Sequence, residues 1–347
     1  MEKILTVVIP TYNMEKYLDR CLTSLIVEDE KMNRLEVLVV IDGAKDRSSE
    51  IAHTYEAKYP QTFRVIDKEN GNYGSCVNRG LAEAAGKYIK VLDADDYFEN
   101  ANLAEYLSFL ETATADAIIT ETHDVQDGKT IGELHFDDIP SEVVLGIEDL
   151  PANDIKILFM HSITYNAAKV RQTGYVQLEG ISYTDLQWVT EPMMGVSTIQ
   201  CWHKLLYNYV KGREGQTVEG SVHCKNMWME TKCVTHCIES YAQNKSNLLH
   251  GQDYYLNQKL MSLSSAIYKY FLIDYKDLLP EQELRKFDNS IKAATPDLYN
   301  KLNENAVRSR FFEFHYVKKW RETGSRNSIP FKLFEAFSNL KKAIKRH

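Results

Sequence analysis

The chain has 347 residues, 44% of them hydrophobic, enough for one large core or two modest ones, and carries a net charge of −8. No run approaches the roughly 18 apolar residues of a membrane span, and Met1-Glu2-Lys3 followed by Ile4–Pro10 lacks the length and cleavage site of a signal peptide, so the expected compartment is the cytoplasm. Six dispersed cysteines exclude a secreted disulfide framework, and the charge is uneven: residues 306–347 hold eleven Lys/Arg against three acids, a net of +8 that leaves −16 for residues 1–305.

Ile4–Pro10 (ILTVVIP) reads as a buried strand stopped by proline, with Thr11-Tyr12-Asn13 as the turn after it. Met14, Tyr17, Leu18, Cys21, Leu22 and Leu25 then form the stripe of an amphipathic helix. Leu35–Ile41 is a second buried strand ending in Asp42-Gly43, and Asp46 with Ser48 and Ser49 can cap a helix running to about Tyr59. Thr62–Asp67 is a third strand, followed by a loop over Asn70–Ser75 and a helix to about Ala85. Tyr88–Leu92 is a fourth strand, which runs straight into Asp93, Asp95 and Asp96.

This β-α-β-α-β-α-β order predicts a doubly wound, mostly parallel sheet whose loops gather at one edge. Neither a G-x-x-x-x-G-K-[ST] nor a G-x-G-x-x-G segment follows any of these strands, so the P-loop and dinucleotide readings lose their main support. The strand-end loops offer Thr11, Asp42, Asn70, Gly71 and the Asp93–Asp96 cluster instead. An aspartate can accept from a base N–H, and glycine permits close approach to a ribose or phosphate. Carboxylates one residue apart at a strand end can point the same way, which suits a hard divalent cation bridging diphosphate oxygens.

VVIPTYN (7–13), IDGAKDRS (41–48), ENGNYGSCVNRGL (69–81) and KVLDADDYF (90–98), in that order, resemble the nucleotide-sugar domain of family 2 glycosyltransferases, the GT-A fold. The resemblance implies an inverting transfer from a nucleotide-diphosphate sugar, usually a UDP sugar, with Mn²⁺ or Mg²⁺ as cofactor. By position, Pro10, Thr11, Tyr12, Asp42, Asn70 and Gly71 fall on the donor side. Asp93 is shared between ribose and metal, and Asp95 is the first metal ligand. The chain departs from the family where two acids usually precede the glycine and it has Ile41-Asp42, and where an arginine is frequent and it has Val77. One nucleoside contact and one phosphate partner are thereby removed.

Further along, Asp116–Glu121 and Lys129–Phe136 read as strands, the second at an edge, and 137–151 as acidic and irregular. Met160–Tyr165 reads as a strand and Asn166–Thr173 as a short helix ending at Gly174. In similar transferases an acid at the distance of Asp185 begins the helix facing the acceptor, which makes Asp185 the candidate general base; a plain helix cap is the alternative. After strand Ser197–Trp202 and its continuation comes Y-x-Y followed by G-R-x-G-Q (207–216), where the planar fork of Arg213 can reach a diphosphate or simply sit in a solvated turn. His223, Cys224, Cys233, His236 and Cys237 match no common zinc spacing and read as helix residues with buried thiols.

Helices are expected over 221–243, 248–273, 281–293, 305–322 and 331–346. In the last, Leu333, Phe337, Leu340 and Ile344 form a stripe beside Lys341, Lys342, Lys345 and Arg346, which suits an interfacial helix on anionic lipid or a stripe docked on the protein's own core. The expected organisation is a GT-A domain over 1–218, with a nucleotide-sugar half (1–98) and an acceptor half (99–218), then a helical C-terminal appendix (219–347). The expected partners are a nucleotide-diphosphate sugar and a glycan, lipid-linked or glycoprotein acceptor, with an anionic membrane surface through 329–347 and a homo-oligomer left open, and no nucleic acid. A non-catalytic scaffold and a nucleotidyltransferase are the rival functions; the latter lacks a glycine-rich basic loop near the first strand.

Overall fold

The computed structural model describes residues 2–344 except 142, 214–215, 217–219 and 309–311, and side chains to residue 336 except Asp29. Its centre is a mixed sheet of ten strands. These are β1 (Leu5–Thr11), β2 (Leu35–Asp42), β3 (Phe63–Lys68), β4 (Tyr88–Val91), β5 (Tyr97–Phe98), β6 (Ala117–Gln126), β7 (Lys129–Leu134), β8 (Val144–Gly146), β9 (Ile163–Asn166) and β10 (Thr198–Val210). The order is β3-β2-β1-β4-β9-β6-β10-β5, with β7 on β6 and β8 on β10. β3, β2, β1 and β4 are mutually parallel, and β9 runs antiparallel between β4 and β6.

The parallel strands are apolar on both faces because helices cover both, so β1 is buried at every position and β2 at all but Glu36. Crossover helices Ser48–Lys58 and Asn72–Glu83 return the chain to the same edge each time. Register then sets the site. Thr11 lies beside Ile41, and Val8 beside Val91, so Pro10–Tyr12, Asp42 and Asp93 converge at the carboxyl ends of three adjacent strands.

Four local expectations change. The glycine-rich loop is shorter than 70–75, because the helix begins at Asn72, where Ser75 Oγ donates to the Asn72 carbonyl at 2.6 Å. Met160–Ser162 is a 3₁₀ turn and only Ile163–Asn166 is strand; Lys90 Nζ donates to the carbonyls of His161 (2.7 Å) and Ile163 (3.1 Å) and holds the turn down. The irregular 137–151 stretch contributes the short strand β8. The helix expected over 305–322 is confined to Tyr316–Thr323, because Val307–Arg308 and Glu313–Phe314 pair antiparallel, with Arg308 Nε on Glu313 Oε1 at 2.7 Å.

The chain separates into two compact units, one of Met1–Cys233 with Ser246–Leu256 and the other of Val234–Lys245 with Asn257–His347. The boundary expected at 218 thus lies within the first unit. The second unit is helical, with Glu281–Ala294, Tyr316–Thr323 and Ile329–Ile344 among its helices. Its core holds a buried polar knot in which Arg321 Nε donates to Asp288 Oδ1 (2.8 Å) and Arg321 Nη1 to the Tyr299 carbonyl (2.7 Å). Phe331 is buried against Phe314, and Phe334 stacks on Phe314 at 4.6 Å, so the start of the last helix docks on its own unit while Leu333 points to solvent. The side chains of Phe337, Leu340, Lys341, Lys342, Ile344, Lys345 and Arg346 lie outside the described residues.

Candidate active site

A cavity of about 670 Å³ opens at the strand ends of the first unit, large enough for a ligand of drug-like size. Pro10, Thr11, Tyr12, Asp42 and Asn70 line one end of the sequence-predicted set; Asp93, Asp95, Asp185 and Arg213 line the other. Gly71 is not in the lining, and its backbone N–H instead donates to Asp42 Oδ1 at 2.9 Å.

Asp42 is 3% exposed. Its Oδ1 takes both Gly71 N–H and Lys68 Nζ, and its carbonyl takes Asn70 Nδ2 at 2.9 Å, so one carboxylate organises the whole 68–71 turn. The Cys76 thiol also lies against this carboxylate; burial, with that negative charge, pushes the thiol up to about 12. Thr11 turns its hydroxyl back to the Ile9 carbonyl, whereas Tyr12 stands half-exposed with its ring at the cavity mouth. Three of the non-glycine residues with left-handed backbone, Asn13, Asn72 and Tyr183, are in the lining. Such backbone strain concentrates where a fold holds a ligand.

The acidic end is crowded. Tyr73 OH donates to Asp93 Oδ1 at 2.8 Å, and Arg213 Nε donates to Asp95 Oδ2 at 2.7 Å. Asp96 sits deeper, accepting from Tyr207 OH and the Val210 N–H, each at 2.7 Å. Burial first, then the neighbouring Asp95, pushes the Asp93 carboxyl up to about 7. Burial, Asp95 and Asp93 raise Asp96 well above the carboxylate range. Two arginines meet this cluster at Asp95, Arg213 on its carboxylate and Arg20 on its carbonyl at 2.7 Å.

His161 completes the cluster: single ligand atoms of Asp93, Asp96 and His161 lie within 4.8 Å of one another. Its ring lies against Tyr209 (4.4 Å, stacked) and Tyr207 (4.8 Å, tilted). Burial, with Lys90 and Lys211, holds the imidazole down to about 3, so it is neutral. Two carboxyl groups and a neutral imidazole are oxygen and nitrogen ligands that suit a divalent cation.

Asp185 opens the short helix Asp185–Trp188 on the cavity wall, and its charge acts on Asp93 and Tyr73. The segment carrying it is fixed by buried amides: Gln177 Nε2 donates to Thr184 Oγ1 (2.8 Å), and Gln187 Oε1 accepts from the Leu178 N–H (2.8 Å). Gln216 Nε2 donates to the Val210 carbonyl (2.6 Å) and Gln216 Oε1 accepts from Gly212 N–H (3.1 Å), closing the turn that presents Arg213. The zinc alternative gains nothing from the structure: Cys233 and Cys237 are buried, and among the described residues the group of His, Cys, Asp or Glu side chains close enough to hold a metal ion is Asp93, Asp96 and His161. Sequence reasoning passed over Tyr73, Lys90 and His161. A lysine inside an otherwise apolar strand was the one local signal that something polar had to meet it.

Residues 6–162 match the family described as Glycosyl transferase family 2. Among curated proteins, the poly(ribitol-phosphate) beta-N-acetylglucosaminyltransferase TarS of Staphylococcus aureus (strain MW2) is 29% identical over 214 residues, 61% of this chain and 36% of that protein. The uncharacterized glycosyltransferase EpsJ of Bacillus subtilis is 38% identical over 101 residues, 29% of this chain and 28% of that protein. The chain spans about a third of the length of the first curated relatives it matches. Among solved structures, S. aureus TarS 1–349 superposes with a TM-score of 0.67 at 21% identity, covering 85% of this chain and 82% of that one. The same protein in complex with UDP-GlcNAc gives 0.66 at 19%, with the same coverage. The strand-end loops at Pro10–Tyr12, Asp42 and Asp93 thus lie within the segment similar to glycosyl transferase family 2, and the chain has the GT-A fold.

Proposed function

We propose that the chain transfers a sugar, with inversion, from a nucleotide-diphosphate donor, a UDP sugar, to a hydroxyl of a glycan or glycoconjugate in the assembly of a bacterial surface polymer. The observation that carries this reading is that one cavity is lined by Asp42 and Asn70, by Asp93 and Asp95, and by Asp185. The similarity to TarS, solved with UDP-GlcNAc, supports the choice of UDP and of an N-acetylhexosamine. The proposed place of work is the cytoplasm, at the inner face of the membrane.

In a single displacement the acceptor hydroxyl attacks the anomeric carbon from the face opposite the diphosphate, and Asp185 takes its proton. Asp42 accepts from the base, Tyr12 covers it, and Arg213 turns its guanidinium toward the diphosphate. Bound among the acids, Mn²⁺ or Mg²⁺ supplies stabilisation of the negative charge on the departing UDP.

The test needs no known acceptor. A panel of nucleotide sugars is incubated with the protein, with and without EDTA, and melting temperature and slow donor hydrolysis are read together. A Mn²⁺-dependent stabilisation by UDP and EDTA-sensitive hydrolysis of one UDP sugar are expected. No shift with any nucleoside diphosphate would overturn the donor site, and binding without turnover of any donor or acceptor would favour the scaffold.

A further inference from the structure

Asp185 begins a helix of only four residues and follows a stretch, 175–183, that is neither helix nor strand, so secondary structure alone does not fix it. The stretch passes through left-handed backbone at Gly180 (φ +75°) and Tyr183 (φ +64°), and its return brings Thr184 against Gln177.

Gln177 is 1% exposed, and each of its polar groups has a partner. Its N–H donates to Asn78 Oδ1 at 2.8 Å, and its carbonyl accepts from Asn78 Nδ2 at 2.9 Å. The side chain is bonded elsewhere. Oε1 accepts from Tyr175 OH at 3.0 Å, while Nε2 donates to the Thr184 hydroxyl at 2.8 Å and to the Thr184 carbonyl at 3.1 Å. On either side of it, the Val176 carbonyl accepts from Gln187 Nε2 at 3.1 Å and the Leu178 N–H donates to Gln187 Oε1 at 2.8 Å. Residues 176, 177 and 178 are thus all tied to the turn that carries Asp185.

The helix that supplies Asn78, Asn72–Glu83, belongs to the donor end of the cavity. Its N-cap Gly71 gives its N–H to Asp42 Oδ1 at 2.9 Å and accepts the Gly180 N–H on its carbonyl at 3.2 Å. Asp185 is therefore held in register with the Asp42 loop through Gly71–Gly180 and again through Asn78–Gln177, and the second link ends on the residue before Asp185. In a single displacement the base must stand within hydrogen-bond reach of the attacking oxygen while the donor site holds the anomeric carbon, and a misplacement of about 1 Å costs about 10²-fold.

We infer that Gln177 is a positioning residue for the transfer. Its backbone joins the Asn78 helix and its amide joins Thr184, which locks Asp185 to the donor loop. Gln177 is not in the cavity lining, so it acts through Asp185. The inference rests on reading Asp185 as the base.

The experiment compares Gln177→Met, Asp185→Asn and the double variant in the full chain. It reads hydrolysis of the UDP sugar that the wild type turns over, with water as the acceptor, and UDP affinity by calorimetry. Gln177→Met keeps the length of the side chain and removes its amide. It should lower kcat by about 10–100-fold with KM and UDP affinity within about 3-fold of wild type. In the Asp185→Asn background the same change should cost less than about 2-fold, because residues that act through one group are not additive. A merely structural role would instead act equally in both backgrounds. Thermal melts check folding, and Asn78→Ala, which cuts the clamp from the helix side, replaces Gln177→Met with the same expectations if the latter melts early. Equal losses in the two backgrounds, or normal kcat in Gln177→Met beside a lowered one in Asp185→Asn, overturn the positioning role and leave the base standing. Normal turnover in Asp185→Asn, or no turnover of any donor by the wild type, overturns the underlying reading and the role with it.

Discussion

Asp185 reaches the cavity from the first turn of a helix only four residues long, so its position is set by the packed segment behind it and not by helix propensity. If it is the base, Asp185→Asn should leave UDP affinity within a few-fold and reduce transfer by about 10²–10⁴-fold. Near-normal turnover would move the role elsewhere. Lys90 makes a separate prediction at this scale. Its side chain is fully buried in β4, and burial pushes its ammonium down to about 7 from an ordinary 10.5. With the folded value below the unfolded one, the unfolded chain binds more protons between these two limits. Stability linked to Lys90 therefore grows as pH rises from 7 toward 10.5 and is lost as pH falls back through 7. Lys90→Met also loses two hydrogen bonds to carbonyls, and should cost about 1–3 kcal/mol at neutral pH. Urea melts should show the wild-type advantage widening toward pH 9, by up to about 1.4 kcal/mol per pH unit. A difference that does not change with pH would mean that Lys90 keeps an ordinary pKa.

The helix Asn72–Glu83 is the element that links the donor end to the Asp185 segment. A Cβ on Gly74 would stand 1.9 Å from the Leu178 carbonyl oxygen, and one on Gly80 would stand 2.3 Å from a Val8 methyl, so the helix is wedged between β1 and the 177–178 backbone. Asn78 adds a two-way bond to Gln177, donating to its carbonyl at 2.9 Å and accepting its N–H at 2.8 Å. Gly74→Ala should cost about 1–3 kcal/mol by overpacking against rigid backbone, and should lower transfer as well, since relief moves the Asp185 segment. Gly128→Ala is the control: it meets nothing within 4 Å, although its φ of +72° still carries some strain. Denaturant midpoints of the two variants settle the comparison. These contacts also mark where the sequence stopped being legible. Strand-end motifs are legible because buried parallel strands are apolar runs and the crossover rule gathers their carboxyl ends, where Thr11, Asp42 and Asp93 line the cavity. Asn78 and Gln177 bond across 99 residues of sequence, Gln187 bonds back to Leu178 within an irregular segment, and none of the three carries a local pattern. His161 sits in a 3₁₀ turn where alternation predicts strand, and the pairing of Val307–Arg308 with Glu313–Phe314 breaks a stretch whose aromatic residues also fit a helical stripe.

Over the whole molecule the asymmetric charge is the feature that neither cavity nor core explains. Among the described residues no helix is long and apolar enough to cross a membrane. The start of the last helix is committed: Phe331 and Phe334 pack on Phe314, and Lys276 pairs with Glu335. Cutting at Pro330 would strip that packing, so any loss of binding would be confounded with unfolding of the second unit. A cut after Ala336 keeps those contacts and removes Lys341, Lys342, Lys345 and Arg346 together. At about 1 kcal/mol for each basic residue near an anionic surface, the four account for about 4 kcal/mol, or roughly a thousandfold in partition. The uncut chain is therefore expected to sediment with vesicles rich in phosphatidylglycerol at low salt, to be released as ionic strength shrinks the Debye length, and to ignore neutral phosphatidylcholine. The shortened chain should stay in the supernatant while melting at the same temperature and binding UDP unchanged. Sedimentation that survives the cut, or that is indifferent to salt, would show that the basic end does not address a membrane.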